Sequence, residues 1–356
     1  MRHICFYVSD HGFGHITRNL SIILQLLKED DVKISLVCGQ RQLDFVRNYL
    51  PESLNKRINF RVMQTDIGLV LQEGTLEIDK GGLKLQTEKY LKTCPILSRQ
   101  EADWLVHNEV NVAVCDMPIW SIEACRLAGI EILYIGNFTW TELYKEHLPE
   151  YIWQAYGNEY KKLNHVALYA LHNREMLQFV GAAQDLSEVS LVCRPFSHKL
   201  ASDIKNKLTR PIVFVALGMF ATFKEIIDVS NYPYDFIINA GVPFIGSNVY
   251  KLDSAVTNTQ DYILASDYVI TKAGWSTVAE CILAHKPMAL FERNGVLEDR
   301  NTISILQKEG VAICITQDDL FDINGIIRRM DKLLRGSYNK FYDCSSQIAD
   351  KILSLV

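Results

Sequence analysis

Six residues that could do chemistry crowd one short stretch: His11, Gly12, Phe13, Gly14, His15 and Arg18 lie in SDHGFGHITR, directly after the apolar run HICFYV. Two glycines one residue apart let a backbone approach a ligand closely. The adjoining histidine offers an imidazole that is neutral near pH 7, which suits a general base. Thr17 stands where the G-x-G-x-x-G fingerprint needs its third glycine, so NAD binding is disfavoured. Asp116 closes another apolar run, VNVAVC. A carboxylate there either fixes the imidazole tautomer, as the third member of a triad does, or caps the helix that follows.

A second cluster lies in YVITKAGWSTVAE, Tyr268 to Glu280. It reads as a short strand, a glycine turn at Gly274 and a helix beginning at Ser276 or Thr277. Such a helix start aims backbone N–H groups and a positive dipole end at one point, where phosphates bind. Thr277 and Glu280 also have the S/T-x-x-E spacing of a capping box, which any helix can use merely to begin.

Alternating elements must position these groups. In the first half, HICFYV, KISLVCG, INFRVMQ, VNVAVCD, EILYIGN and HVALYAL read as strands. Between them lie helical patterns, among them ITRNLSIILQLLKE, with Leu20, Ile23, Leu24 and Leu27 on one face, Gln42 to Leu50, and Leu83 to Asn108. The polar stretch Asp66 to Gly82 reads as a long loop of the kind that is often functional. Arg210-Pro211 opens a second series with strands PIVFVALG, DFIINAG, YVITKAG and PMALFE. This alternation predicts α/β halves with parallel, doubly wound sheets, divided into 1–195 and 196–356, with the final helix a candidate to return to the first half.

Composition narrows the function. A chain of 356 residues with 48% hydrophobic content suits two domains. A net charge of -5 and a pI near 6.0 leave no basic footprint for nucleic acid. Nine cysteines without a C-x-x-C pair fit a reducing cytoplasm, and no apolar run reaches membrane-spanning length, although peripheral membrane contact stays open.

Taken together, the motifs resemble those of the GT-B glycosyltransferases, in the branch of MurG and the UDP-glycosyltransferases. Gly274, Trp275, Ser276, Thr277 and Glu280 are similar to the donor signature G-W-N-S-x-x-E; Thr257, Thr259, Gln260 and Leu264 to W-x-P-Q-x-x-x-L; Leu217, Gly218 and Met219 to an F-G-S turn; Asp299-Arg300 to a final D-Q pair. HGFGHITR and GNFTW (Gly136 to Trp140) resemble the glycosyltransferase-like domain found ahead of plant arabinose kinases.

This resemblance implies two facing Rossmann-like domains with a central cleft and an inverting, hexosyltransferase-type reaction on a nucleoside-diphosphate sugar, UDP-linked by the family pattern, with no cofactor. His15 would be the base and Asp116 its partner. Gly218, Met219, Gln260, Lys272, Gly274, Trp275, Ser276, Thr277, Glu280, Glu298, Asp299, Arg300 and Asn301 would bind the donor. An unknown acceptor would meet His11, Gly12, Phe13, Gly14, Arg18, Trp120, Asn137, Phe138 and Trp140, although packing is the default role of such aromatics. The helix dipole and backbone donors can stabilise the leaving diphosphate without a metal, and the chain contains no D-x-D motif. The chain departs from the pattern at four places: Thr257 replaces a tryptophan that stacks on uracil, Met219 the serine of the glycine turn and Lys272 a histidine of the plant-type signature, and an insertion around Asn294 and Gly295 blurs the alignment before Asp299. A nucleotide-sugar hydrolase of the same fold and a non-catalytic nucleotide-sugar-binding module are the alternatives.

Overall fold

The computed structural model describes residues 1–72, 77–217, 225–239, 241–293 and 295–356. Gly218, Met219 and Asn294 lie outside the described residues. The chain divides into two compact units. Unit 1 comprises Met1–Val70, Ile78–Val192 and Asp343–Val356; unit 2 comprises Leu71–Glu77 and Cys193–Tyr342. The main boundary thus precedes residue 196 by three positions, and the C-terminal segment belongs to unit 1.

Unit 1 is built on strands β1 (Arg2–Val8), β2 (Val32–Cys38), β3 (Ile58–Val62), β4 (Val112–Asp116), β5 (Glu131–Gly136), β6 (His165–Tyr169) and β7 (Asp185–Val189). They form one parallel sheet in the order β3-β2-β1-β4-β5-β6-β7. His3 to Val8 is buried throughout, as a central strand covered by helices on both faces must be. Of the expected face, the helix Gly14–Leu26 and its C-cap bury Leu20, Ile23 and Leu27 but leave Leu24 only half-buried, and Ile16, Ile22 and Leu26 are buried as well. The C-terminal helix Ser345–Leu353 packs against this helix, a contact that the local sequence does not carry.

Unit 2 contains β8 (Ile212–Ala216), β9 (Ile227–Asp228), β10 (Asp235–Ile238), β11 (Phe244–Ile245), β12 (Val249–Lys251), β13 (Tyr268–Lys272), β14 (Met288–Phe291) and β15 (Ala312–Ile315). Its main sheet is parallel, in the order β12-β10-β8-β13-β14-β15, with β9 and β11 paired separately. Val213, Val215, Phe236, Ile238, Ile270 and Ala289 form its core with the helix Ile323–Met330. In each sheet the strand order reverses once, at β1/β4 and at β8/β13. Open α/β sheets bind ligands outside the carboxyl ends of the strands at such a switch point. His15 and Asp116 follow the first, and Lys272 and Gly274 the second.

The segment expected as a long loop begins as buried structure. Thr65 and Asp66 are buried, and the helix Lys80–His107 starts earlier than its apolar pattern suggests, with Asp79 capping Gly82 N at 2.9 Å. Four aromatic side chains hold the buried part. Tyr90 Oη and Trp120 Nε1 donate to the Thr65 carbonyl (2.7 and 3.0 Å), Trp140 Nε1 to Asp66 Oδ2 (2.7 Å), and Tyr144 Oη to the Gly68 carbonyl (2.9 Å). A buried loop can exist only if its polar groups are satisfied in this way. Among the described residues, no helix is long and apolar enough to cross a membrane.

Candidate functional site

In unit 1 the β1–β4 register sets Val8 beside Asp116, and Ser9 N donates to the Asp116 carbonyl at 2.9 Å. The chain then turns through Gly12, at φ +81°, and enters the helix whose first turn carries His15. His15 Nδ1 lies 2.9 Å from Asp116 Oδ1. Asp116 is fully buried and does not cap the next helix, whose N-cap is Pro118. Instead its carboxylate accepts from Arg18 Nε (2.7 Å), Arg18 Nη2 (2.5 Å) and Asn19 Nδ2 (2.6 Å). Burial alone would push this carboxyl up; the Arg18 charge, with His15, outweighs it and holds Asp116 at about 2.

Arg18 belongs to this constellation in a way the sequence does not predict. Expected among the acceptor-binding residues, it is buried, with Nη1 donating to Asn137 Oδ1 at 2.6 Å and its guanidinium 5.5 Å from the Tyr169 ring. Its Nη2 also lies 2.9 Å from His15 Nδ1. A single ring nitrogen cannot donate to Asp116 and accept from Arg18 at once. With the Nδ1–H tautomer facing Asp116, Nε2 is left as the acceptor, which is the base form.

The neighbouring aromatics are packed. Phe138 and Trp140 are buried, with Trp140 5.4 Å from the His11 ring and Phe138 6.0 Å from the His15 ring. Trp120 is buried too, and its indole is one of the loop anchors, so burial accounts for it without an acceptor. Asn137 is buried and committed to Arg18. Phe13, Gly12, Gly14 and His11 keep exposed surface, Phe13 resting on Phe45 at 5.4 Å.

In unit 2 the helix begins at Trp275 with Gly274 as N-cap and no side-chain cap. The expected capping box does not form. Starting at Trp275 puts Thr277 inside the first turn, and Glu280 is held by Arg194 Nη2 at 2.8 Å. The first helical bond runs from Val278 N to Gly274 O, so the amides of Trp275, Ser276 and Thr277 precede it. Lys272 folds over this turn: a Cβ on Gly274 would lie 3.4 Å from Lys272 Cε. Desolvation, then the charge of Arg293, brings the Lys272 ammonium down to about 8, against the opposing pull of Asp299 and Glu298.

Arg293, which no motif marks, grips Asp299. Its backbone N (3.0 Å) and Nε (2.7 Å) donate to Oδ2 and its Nη2 (2.6 Å) to Oδ1. Asp299 is fully buried, so this expected donor ligand is committed to a bidentate ion pair, whereas Glu298 is half-buried with its carboxylate 3.9 Å from Arg293. Arg300 and Asn301 are half-buried in the same helix, Leu297–Lys308. Gln260 is buried, its Nε2 donating to the Pro195 carbonyl at 3.2 Å. The signal for Arg293 was its place just past β14, at a carboxyl end; Arg194 carried no local signal.

Two such α/β units, each with a parallel, doubly wound sheet, make up the GT-B fold that this chain shares with solved glycosyltransferase structures. No family model matches the chain. It is similar to the L-arabinokinase of Arabidopsis thaliana, 25% identical over 328 residues, covering 86% of this chain. The chain spans 30% of the length of that relative. Among solved structures it is similar to a UDP-glucose:anthocyanidin 3-O-glucosyltransferase in complex with UDP (TM-score 0.65, 13% identity, 98% of this chain and 94% of that one). It is likewise similar to UGT2 of Phytolacca americana complexed with UDP-2fluoro-glucose and pterostilbene (TM-score 0.63, 12% identity, 99% of both chains).

Proposed function

We propose that the chain is an inverting glycosyltransferase that moves a sugar from a nucleoside-diphosphate sugar, UDP-linked, to an acceptor hydroxyl without a metal ion. The His15–Asp116 pair carries the proposal, because it has the separation and burial that a base and its orienting carboxylate need. His15 Nε2 takes the hydroxyl proton as the acceptor oxygen attacks the anomeric carbon. The bond from that carbon to the diphosphate oxygen breaks, and the nucleoside diphosphate leaves with the electron pair. The Trp275–Thr277 amides and the Lys272 ammonium stabilise the negative charge that develops. The GT-B fold and the UDP complexes of its structural neighbours support this reading.

One observation favours a second reading. If His15 Nδ1 accepts from Arg18 rather than donating to Asp116, Nε2 carries the proton and cannot act as a base, and the chain becomes a nucleotide-sugar-binding module. Turnover with a panel of nucleotide sugars and acceptors decides. Transfer that is abolished in His15→Ala, with donor binding kept, supports the transferase. Release of free sugar and nucleoside diphosphate without acceptor makes the chain a hydrolase, and binding without turnover makes it the module.

A further inference from the structure

We propose that Arg194 is a positioning residue for the nucleoside end of the donor, an assignment that rests on the donor-binding reading above. Arg194 lies outside every motif in the sequence, directly after the start of unit 2, and is 2% exposed. Its guanidinium reaches three acceptors. Nη1 donates to the Thr257 carbonyl, and Nη2 donates to Thr259 Oγ1 at 3.3 Å and to Glu280 Oε1 at 2.8 Å. The next residues extend the grip: the Pro195 carbonyl accepts from Gln260 Nε2 at 3.2 Å, and Ser197 N donates to Asp261 Oδ1 at 2.6 Å.

Residues 194–197 therefore hold three pieces of unit 2 together: the loop at Thr257, the first turn of the helix Thr259–Ala265, and Glu280 in the helix Trp275–Leu283. Thr257 stands where the resembled family has the tryptophan that stacks on uracil, and Gln260 and Glu280 are among the residues that the resemblance assigns to the donor. Stability alone is a poor reason for this arrangement, since a buried ion pair is commonly matched or bettered by apolar residues of the same volume. Geometry is a better one. A guanidinium presents its donors in a fixed plane, so one side chain sets a backbone carbonyl, a hydroxyl and a carboxylate at once, which a lysine cannot do. Gln260 supplies an independent sign of an absent partner: its Oε1 is buried without a hydrogen bond while its Nε2 is held by Pro195. A ribose hydroxyl would satisfy that oxygen.

The diphosphate and the nucleoside are thus served by different groups. Lys272 and the Trp275–Thr277 amides take the first, and the residues tied by Arg194 take the second. Calorimetric titration of the folded protein with UDP, dTDP, GDP and ADP, and separately with inorganic pyrophosphate, separates the two. For Arg194→Lys, which keeps the charge beside Glu280, the nucleoside diphosphate that binds the wild type should weaken about tenfold or more while pyrophosphate changes less than about twofold. Thr259→Val, which leaves the ion pair intact, should show the same selectivity with a smaller loss and covers the case in which Arg194→Lys does not fold. Equal weakening of pyrophosphate and nucleoside diphosphate, or no weakening of either, overturns the assignment. A wild type that binds pyrophosphate but none of the nucleoside diphosphates also overturns it. A wild type that binds none of the probes overturns the donor reading and this assignment with it.

Discussion

His15, Asp116 and Arg18 form one unit in which a charge is shared. Asp116 is neutralised by a buried guanidinium, so it orients the imidazole more than it stabilises an imidazolium. His15→Ala should lower turnover about 10²- to 10⁴-fold with little change in donor affinity, read from steady-state rates alongside a binding isotherm. Asp116 also carries an acid signature. Its carboxyl is lowered from an ordinary 3.8 to about 2 in the folded protein. The stability it adds is therefore fully present above pH 4 and lost as pH falls through 2, an effect of roughly 2 kcal/mol. Asp116→Asn should flatten that part of a denaturation-against-pH curve. Lys272 works the other way. Its ammonium, brought down to about 8 by burial and Arg293, is protonated below that pH and, on the proposed donor reading, would attract the diphosphate there. Donor affinity should fall as pH rises through 8, and Lys272→Met should remove the slope in a titration series.

At the scale of elements, the loop from Thr65 to Gly68 shows how the aromatic residues are used. Trp140 donates to a carboxyl that burial and the neighbouring Asp10 push well above the usual range. Trp140→Phe keeps an aromatic ring and deletes the donor, removing one hydrogen bond from a buried carboxyl, which should cost about 1–3 kcal/mol in a urea unfolding curve. Gly68 sits at φ +65°, and a Cβ there would lie 2.1 Å from His11 Nδ1, so close packing and backbone together require glycine. The central strands were legible because they are short, mainly apolar runs, most of them followed by a helical period; the short strands β9, β11, β12 and β15 of unit 2 were not. β7 was not, since Asp185, Ser187 and Glu188 make an edge strand with a weak pattern. The helix start at Trp275 was misread because a capping box is a local signal and Arg194 answers it from across unit 2. In the site, the residues next to glycines and strand ends were readable. Their partners were harder: Arg194 is remote in sequence from Glu280 and has no spacing to read, whereas Arg293 lies close before Asp299 and was marked only by its place just past β14.

At the scale of the whole molecule, unit 1 is completed by the C-terminal segment. Leu191 bridges Asp343, and Cys344 N donates to the Leu191 carbonyl at 2.8 Å. Ile348 and Ile352 are fully buried on the helix that covers Gly14–Leu26. Lys351 Nζ reaches Asp185 Oδ1 and Ser187 Oγ, both at 2.9 Å. The exposed part of that ion pair adds little; the two isoleucines carry most of the effect, at about 1.5–3 kcal/mol each. The helix they cover is the one that carries His15, Arg18 and Asn19, so the constellation proposed as catalytic rests on a segment remote from it in sequence. Removing residues 343–356 should therefore destabilise unit 1 selectively. Hydrogen exchange should rise in β1, β7 and the Gly14–Leu26 helix while the core of unit 2, around Val213 and Ile270, stays protected. Because Lys272 and the Trp275 turn lie in unit 2, the shortened chain should lose turnover before it loses pyrophosphate binding; loss of both together would mean that the segment supports the two units alike.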